Sequence, residues 1–397
     1  MLYSIAILFI FGALLANLFK RLGLPSLVGM LIAGILLGPS VLNLLDGQLL
    51  DVSTDLRRIA LVIILLRAGL AINLSDLRKV GRPAVLMSFV PATFEMVGVI
   101  IFAPMLLGVS YLEAAIMGAV LGAVSPAVIV PKMLDMMRKG EGTKKGIPQM
   151  IMASASFDDL YLITFFSVFL SLSTGDAVTA MSFGRLPISI VMGIVIGASV
   201  GYLFNLLYKK FEARTTIKLL TILSVSFLLL TAEDYLGSKM PFSALLAIMV
   251  IGIVLLQKNA TVAKSLSSQL SSLWIGAEII LFVLIGASLD LGYAVAAGAN
   301  TIILILIVLC IRMIGVYMSL IKTEFTTKER LFCMLAYIPK ATVQAAIGGI
   351  PLAMGLSCGN AVLTLAVISI LITAPLGAFA IDWGRKKLLI DKVIAER

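Results

Sequence analysis

The 397-residue chain has no histidine, only three cysteines, and just 13% charged residues. Without histidine, any switch near neutral pH must rest on other groups with perturbed titration. Cys310, Cys333 and Cys358 are spaced for neither a disulfide pair nor a metal cluster. Cys310 and Cys333 fall inside apolar runs and read as core residues. A soluble domain carries about 25% charged residues. A chain at 13% charged and 60% hydrophobic is therefore read as an integral membrane protein.

What is present is a series of long apolar runs. Each is long enough to cross a hydrocarbon core roughly 30 Å thick. They are also too long and unbroken for barrel strands, so they read as helices that satisfy their own backbone hydrogen bonds. Thirteen are expected, at 2–19, 24–42, 55–74, 83–107, 112–132, 147–172, 186–207, 216–235, 242–257, 268–288, 294–321, 328–355 and 360–383. The fold class is an all-α polytopic membrane protein. Connections are short, and no soluble domain or low-complexity tail is expected. The first run has no basic residue before it and no clear cleavage site, so it reads as a retained helix with the N-terminus outside.

Charge supports this topology. With thirteen crossings, most of the 31 lysines and arginines fall on one side. Only Arg57, Arg58, Arg185 and Lys239 fall on the other, and Arg67, Arg312 and Lys340 lie inside spans. The basic side, which includes the C-terminus, is cytoplasmic by the positive-inside rule. The formal charge of +10 is thus a topology signal, and no nucleic-acid partner is needed to explain it.

Within the sixth run, MASASFDDLYLITFFSVFL, stand two adjacent acids, Asp158 and Asp159. Each acid near a helix centre costs roughly 2.5–3.5 kcal/mol on insertion scales. Such residues persist where they face a wet cavity or a partner charge, so the pair reads as an ion or proton site. At about 1.5 Å of rise per residue, Asp158 lies roughly 16 Å deep, Glu95 and Lys340 roughly 18 Å, and Arg312 roughly 15 Å. Charges on four helices far apart in sequence therefore share one level near the midplane.

Two helices look broken at that level. The fifth run reads GAVLGAVSPAVIVPKM, with Pro126 and Pro131; the twelfth reads IPKATVQAAIGGIP, with Pro339, Gly348, Gly349 and Pro351. Proline removes a backbone bond and glycine weakens a helix. Interrupted segments in matching positions of two halves point to a transporter's binding site. The breaks are seven crossings apart, a shift that inverts topology. Helices 1–6 and 8–13 therefore read as inverted repeats, with the seventh as linker.

VSPAVIVP, SFDDLYLIT and IPKATVQAAIG together resemble the sodium/proton antiporter clade of the cation:proton antiporter 2 superfamily. Relatives often carry Thr-Asp-Pro at the fifth-helix break, where this chain has Val124, Ser125 and Pro126. Arg312 stands where electrogenic relatives commonly carry a lysine. The resemblance implies exchange of Na⁺ or Li⁺ for H⁺ without a cofactor, in a cell (inner) membrane. It also implies a homodimer, with a six-helix core moving against a dimerisation domain. On this reading 1–80 and 186–290 form the dimerisation part, and 81–172 and 294–385 the ion-translocating part.

The residues admit a matching mechanism. Neighbours on a helix point about 100° apart, so Asp158 and Asp159 cannot share one face. Asp159 is assigned to the cavity as cation ligand and proton carrier, and Asp158 to the side of helices 11 and 12. Na⁺ takes hard oxygens, which Asp159, Asp158, Ser125, Ser154 or Ser156 and freed carbonyls near Pro126 offer. The two acids are expected to titrate as a coupled pair. Arg312 stays protonated and is expected to pair with Glu95 as a structural ion pair. Lys340 either titrates or compensates broken-helix carbonyls. Arg67 and Glu278 are assigned structural or interface roles. Two other functions stay open at this point. One is K⁺/H⁺ exchange on the same fold, although gated K⁺ systems of the superfamily usually carry a nucleotide-binding domain. The other is ion-coupled symport of a small organic acid.

Overall fold

A computed structural model of the chain describes residues 1–72, 81–173, 180–210, 213–236 and 242–389, with backbone alone for Ser156, 180–187, Asp234 and Leu236. The side chains of Ser156 and Arg185 therefore lie outside the described residues, as do Arg78, Lys79, Lys239, Lys392 and Arg397. Every one of the thirteen apolar runs carries helix, and no strand occurs among the described residues.

Nine helices among the described residues are long and apolar enough to cross a membrane by length and composition, and shorter apolar helices stand at other expected crossings. The second run is one of these. Pro25 precedes its helix and Gly38 ends it, which leaves the 12 residues Ser26–Leu37. At 1.5 Å per residue that is about 18 Å, short of a hydrocarbon core. The twelfth run is broken into three short pieces.

The described chain divides into two compact units. The first comprises Met1–Leu50, Leu74–Leu162 and Phe282–Arg397; the second comprises Asp51–Asn73 and Ile163–Leu281. In the first unit, α1 (Leu2–Arg21) packs on α2 (Ser26–Leu37), and α3 (Gly47–Asp51) follows. In the second unit, α4 (Ser53–Ala71) packs along the helix Ala244–Lys258. Close backbone approach makes the second contact possible. A Cβ added at Gly69 would lie 2.2 Å from the Met249 carbonyl oxygen, and one at Gly252 2.7 Å from the Leu70 nitrogen. Small residues let helices touch where lipid provides no hydrophobic drive between them.

The same device acts in the first unit. A Cβ at Gly34 would lie 2.0 Å from the Val283 carbonyl oxygen, and one at Gly286 2.2 Å from that of Leu31. Gly34→Leu is therefore expected to cost about 1–3 kcal/mol by overpacking. Thermal unfolding in detergent checks this, and an unchanged midpoint would show that the contact is looser than described.

The central pair of the first unit is α5 (Arg82–Leu107) and the helix Leu291–Ser319, which pack along each other. The latter buries Thr301, Leu304, Ile305, Val308, Leu309, Arg312, Gly315, Val316 and Ser319, a stripe at helical spacing. Its other face, with Ile302, Leu306 and Ile314, is exposed. Cys310 lies on that exposed face, which corrects its reading as core; Cys333 and Cys358 are buried. Apolar content alone did not separate the lipid side of this helix from its packed side.

Candidate ion-binding site

The fifth apolar run folds as two helices, α6 (Tyr111–Leu121) and α7 (Pro126–Lys139). A capping box between Ser110 and Glu113 starts α6. The helix ends at Leu121 with Gly122 as its cap in helical conformation, and Ala123 to Ser125 cross to α7 outside any helix. Pro126 stands in the first turn of α7, where a missing N–H costs nothing, while Pro131 lies inside α7 without breaking it. The interruption is thus a single break at 122–125. Ser125 occupies the N-cap, yet its hydroxyl makes no cap bond.

The diacid helix is α8 (Ile147–Ser173), followed in the second unit by α9 (Ala180–Lys210), α10 (Thr215–Leu236) and α11 (Ala244–Lys258), with α12 (Ala260–Ala287) leading to α13 (Leu291–Ser319). The twelfth run folds as α14 (Thr327–Ala336), α15 (Thr342–Ile347) and α16 (Ile350–Ala353), and α17 (Gly359–Lys387) closes the chain. A capping box of Thr326 and Glu329 starts α14, and Tyr337 to Ala341 form its break. The two breaks meet directly: the Ser125 N–H donates to the Pro339 carbonyl at 2.8 Å. On α17, the Thr373 hydroxyl accepts the Lys340 N–H at 3.0 Å.

Around this crossing the four charged positions expected at one depth come together, all fully buried. Glu95 Oε2 receives Arg312 Nη1 and Lys340 Nζ, each at 2.7 Å. Arg312 Nη2 reaches Asp158 Oδ2 at 3.1 Å. The expected Glu95–Arg312 pair therefore forms, but as part of a four-residue network. Lys340 Nζ also donates to the Leu121 carbonyl at 2.8 Å, and Arg312 Nη1 to that of Gly122. The carbonyl end of α6 is the negative pole of a half-helix, so both cations sit where its unpaired oxygens need them.

Asp158 also accepts the Val124 N–H at 2.9 Å, through the same Oδ2. Its Oδ1, Asp159 Oδ1 and Ser125 Oγ are buried with no hydrogen-bond partner. Asp158 is wholly buried, whereas Asp159 is 7% exposed. The adjacent acids thus differ as their angular separation requires. Asp158 faces the Arg312 network, whereas Asp159 forms no such ion pair among the described residues. Unpartnered buried oxygens are costly, and carboxylate and hydroxyl oxygens left in that state are hard donors of the kind a small cation takes.

Ser154 is engaged elsewhere. Its hydroxyl donates to the Met150 carbonyl at 2.7 Å and accepts from the Tyr337 hydroxyl. Arg67 and Glu278 belong to the second unit, where the charge of Arg67 acts on Glu278. Two residues of the buried network carry no role in the sequence reading. Tyr337 lies under the Arg312 guanidinium, 5.3 Å from ring centroid to Cζ. Gln344 is fully buried and donates through its amide to the carbonyl end of α6. A polar amide four residues after Lys340 in an apolar run was the available signal.

The sequence model of the family described as "Sodium/hydrogen exchanger, transmembrane" matches residues 5–383. Sodium/hydrogen exchanger 9B2 of Homo sapiens is 33% identical over 407 residues, covering 98% of this chain and 75% of that protein. Sodium/hydrogen exchanger 9B1 of Homo sapiens is 32% identical over 382 residues, covering 92% and 73%. The sodium proton antiporter MjNhaP1 from Methanocaldococcus jannaschii has the same fold, with a TM-score of 0.82 at 21% identity over 98% of each chain. With that match over almost its whole length, the chain belongs to the sodium/hydrogen exchanger family.

Proposed function

We propose that this multi-pass membrane protein is a secondary antiporter that exchanges Na⁺ or Li⁺ for H⁺ by alternating access, with Asp159 and Asp158 as its ion-binding carboxylates. The observation that carries the reading is that Asp158, Asp159 and Ser125 each keep a buried oxygen without a partner, Ser125 lying in the break between α6 and α7 and Asp158 bonded to it through Val124. Asp159 is the direct ligand and proton carrier. Its carboxylate binds either the cation or a proton, so the arrival of one requires the departure of the other. Ser125 Oγ supplies a neutral oxygen, and Ser154 or Ser156 a further one. Glu95, Arg312 and Lys340 hold the crossing together and balance the charge of Asp158. Neither K⁺/H⁺ exchange nor organic-acid symport gains support from relatives named as sodium/hydrogen exchangers.

Segments 81–172 and 294–385 form the translocating part, since every member of the buried network comes from them. Segments 1–80 and 186–290 form the scaffold through which the protein pairs as a homodimer. The two broken helices occupy corresponding places in two inverted repeats. The N-terminus lies outside and the C-terminus in the cytoplasm of a cell whose sodium and pH balance the exchanger serves.

A proteoliposome assay with a pH-sensitive dye tests the exchange. Na⁺ and Li⁺ added to one side are expected to move protons to it, K⁺ is not, and clamping the voltage reads the charge moved per cycle. Proton movement driven by K⁺ but not by Na⁺ or Li⁺ would overturn the substrate assignment.

A further inference from the structure

Among the described residues, Gln344 is the one fully buried, uncharged side chain that bonds the broken end of α6. Its Nε2 lies 2.8 Å from the Ala123 carbonyl oxygen and 3.2 Å from those of Val120 and Leu121. Lys340 and Arg312 cover Leu121 and Gly122, so Gln344 alone among these three side chains reaches Val120 and Ala123. The amide can be oriented in only one way. Exchanging its oxygen and nitrogen would aim an acceptor at three acceptors. Oε1 accordingly points away from the carbonyls and has no partner.

The bond to Ala123 has a particular consequence. The Ala123 carbonyl and the Val124 N–H belong to one peptide unit, and in a planar trans peptide they point in opposite directions. Gln344 holds the carbonyl side at 2.8 Å, and Asp158 Oδ2 takes the N–H side at 2.9 Å. The plane is pinned from both sides, one residue before the unpartnered Ser125 hydroxyl.

We propose that Gln344 is a positioning residue for the cation site: by fixing the Ala123–Val124 peptide it keeps the Val124 N–H on Asp158 and sets where the Ser125 hydroxyl is presented. Gln344 need not touch the ion. This rests on the reading of Asp158, Asp159 and Ser125 as the site. Lys340 and Arg312 fix neighbouring carbonyls through charge, whereas Gln344 does so without adding charge beside the carboxylates.

The test compares Gln344→Leu, which removes the donor, with Gln344→Asn, which keeps the amide but shortens its reach, both as purified full-length protein. Apparent KM and maximal rate for Na⁺ and Li⁺ are measured in proteoliposomes, and Na⁺-induced thermal stabilisation in detergent. The apparent KM for Na⁺ is expected to rise about tenfold in both variants, the size of one hydrogen bond, and the ratio of Na⁺ to Li⁺ KM to change. In an Asp158→Ala background, which leaves the Val124 N–H without its acceptor, the same substitution is expected to add nothing to the loss of Na⁺-induced stabilisation. A lower maximal rate with unchanged KM and unchanged ion ratio would overturn the proposal in favour of a merely structural amide, as would an additive loss in the double variant. If Gln344→Leu does not fold, the Asn variant alone decides by the same KM and ratio. Wild-type protein that is stabilised by Na⁺ but moves no protons would defeat the exchange reading and leave the Gln344 proposal to the stabilisation arm.

Discussion

Asp159→Asn is expected to reduce Na⁺-driven proton movement in proteoliposomes to that of liposomes without protein. Asparagine keeps the shape of the side chain and one oxygen, but it neither carries a negative charge nor exchanges a proton. The carboxylate is buried at 7% exposure, next to a second acid and with an unpartnered oxygen. Each of those features costs free energy in a membrane interior, and the proposed site repays it only when an ion or proton is bound. Asp158→Asn is expected to do less. Asp158 already has the Arg312 guanidinium and the Val124 N–H, and an amide oxygen at its place retains an acceptor for both. Exchange at the wild-type rate in Asp159→Asn would sink the carrier assignment. Unchanged Na⁺ affinity in both single variants would remove the diacid as the site altogether.

The second large effect concerns stability. Glu95→Ala takes away the carboxylate that Arg312 and Lys340 share at 2.7 Å each. Among the described residues, Asp158 then remains as the one acid bonded to Arg312, and Lys340 Nζ keeps the Leu121 carbonyl. Removing one partner of a buried ion pair costs about 3–5 kcal/mol, because the remaining charge stays buried without compensation. Here Lys340 loses its carboxylate and Arg312 one of its two, so the thermal midpoint in detergent should fall by many degrees. Replacing Arg312 as well should recover part of the loss, since the double variant buries one cation fewer. Additive midpoint shifts in the cycle of Glu95→Ala and Arg312→Leu would show that the two side chains do not support each other.

Much of this arrangement was legible in the chain. Glu95, Asp158, Arg312 and Lys340 stand at one depth when rise per residue is counted, and they form one network. Charge is so expensive in an apolar run that a retained one announces a partner. The break in the fifth run was legible too, but not its position. Pro126 marks the start of α7, not the interruption, because proline fits a first helical turn, and Pro131 is absorbed by the helix. The commitments of hydroxyls were hidden. Ser125 and Ser154 are both buried serines near the diacid, yet only Ser154 bonds its own helix and Tyr337. Nothing in local sequence separates them, since the difference comes from where α14 places an aromatic hydroxyl. Gln344 stood out only as a polar amide in an apolar run, and its role was hidden because its partners lie more than 200 residues earlier in the chain. The face of α13 that holds Cys310 misled for the opposite reason: lipid and protein interior ask for the same apolar side chains.

The main-chain bond from Ser125 to Pro339 joins the two interruptions to each other. Each broken helix taken alone would be a soft joint, free to bend where its ladder is cut. Stitched together at their gaps, and fastened to α17 through Lys340 and Thr373, neither can flex without dragging the other. The crossing thus behaves as a keystone, and on the proposed mechanism the compliance for an exchanger's stroke resides in the connections around it.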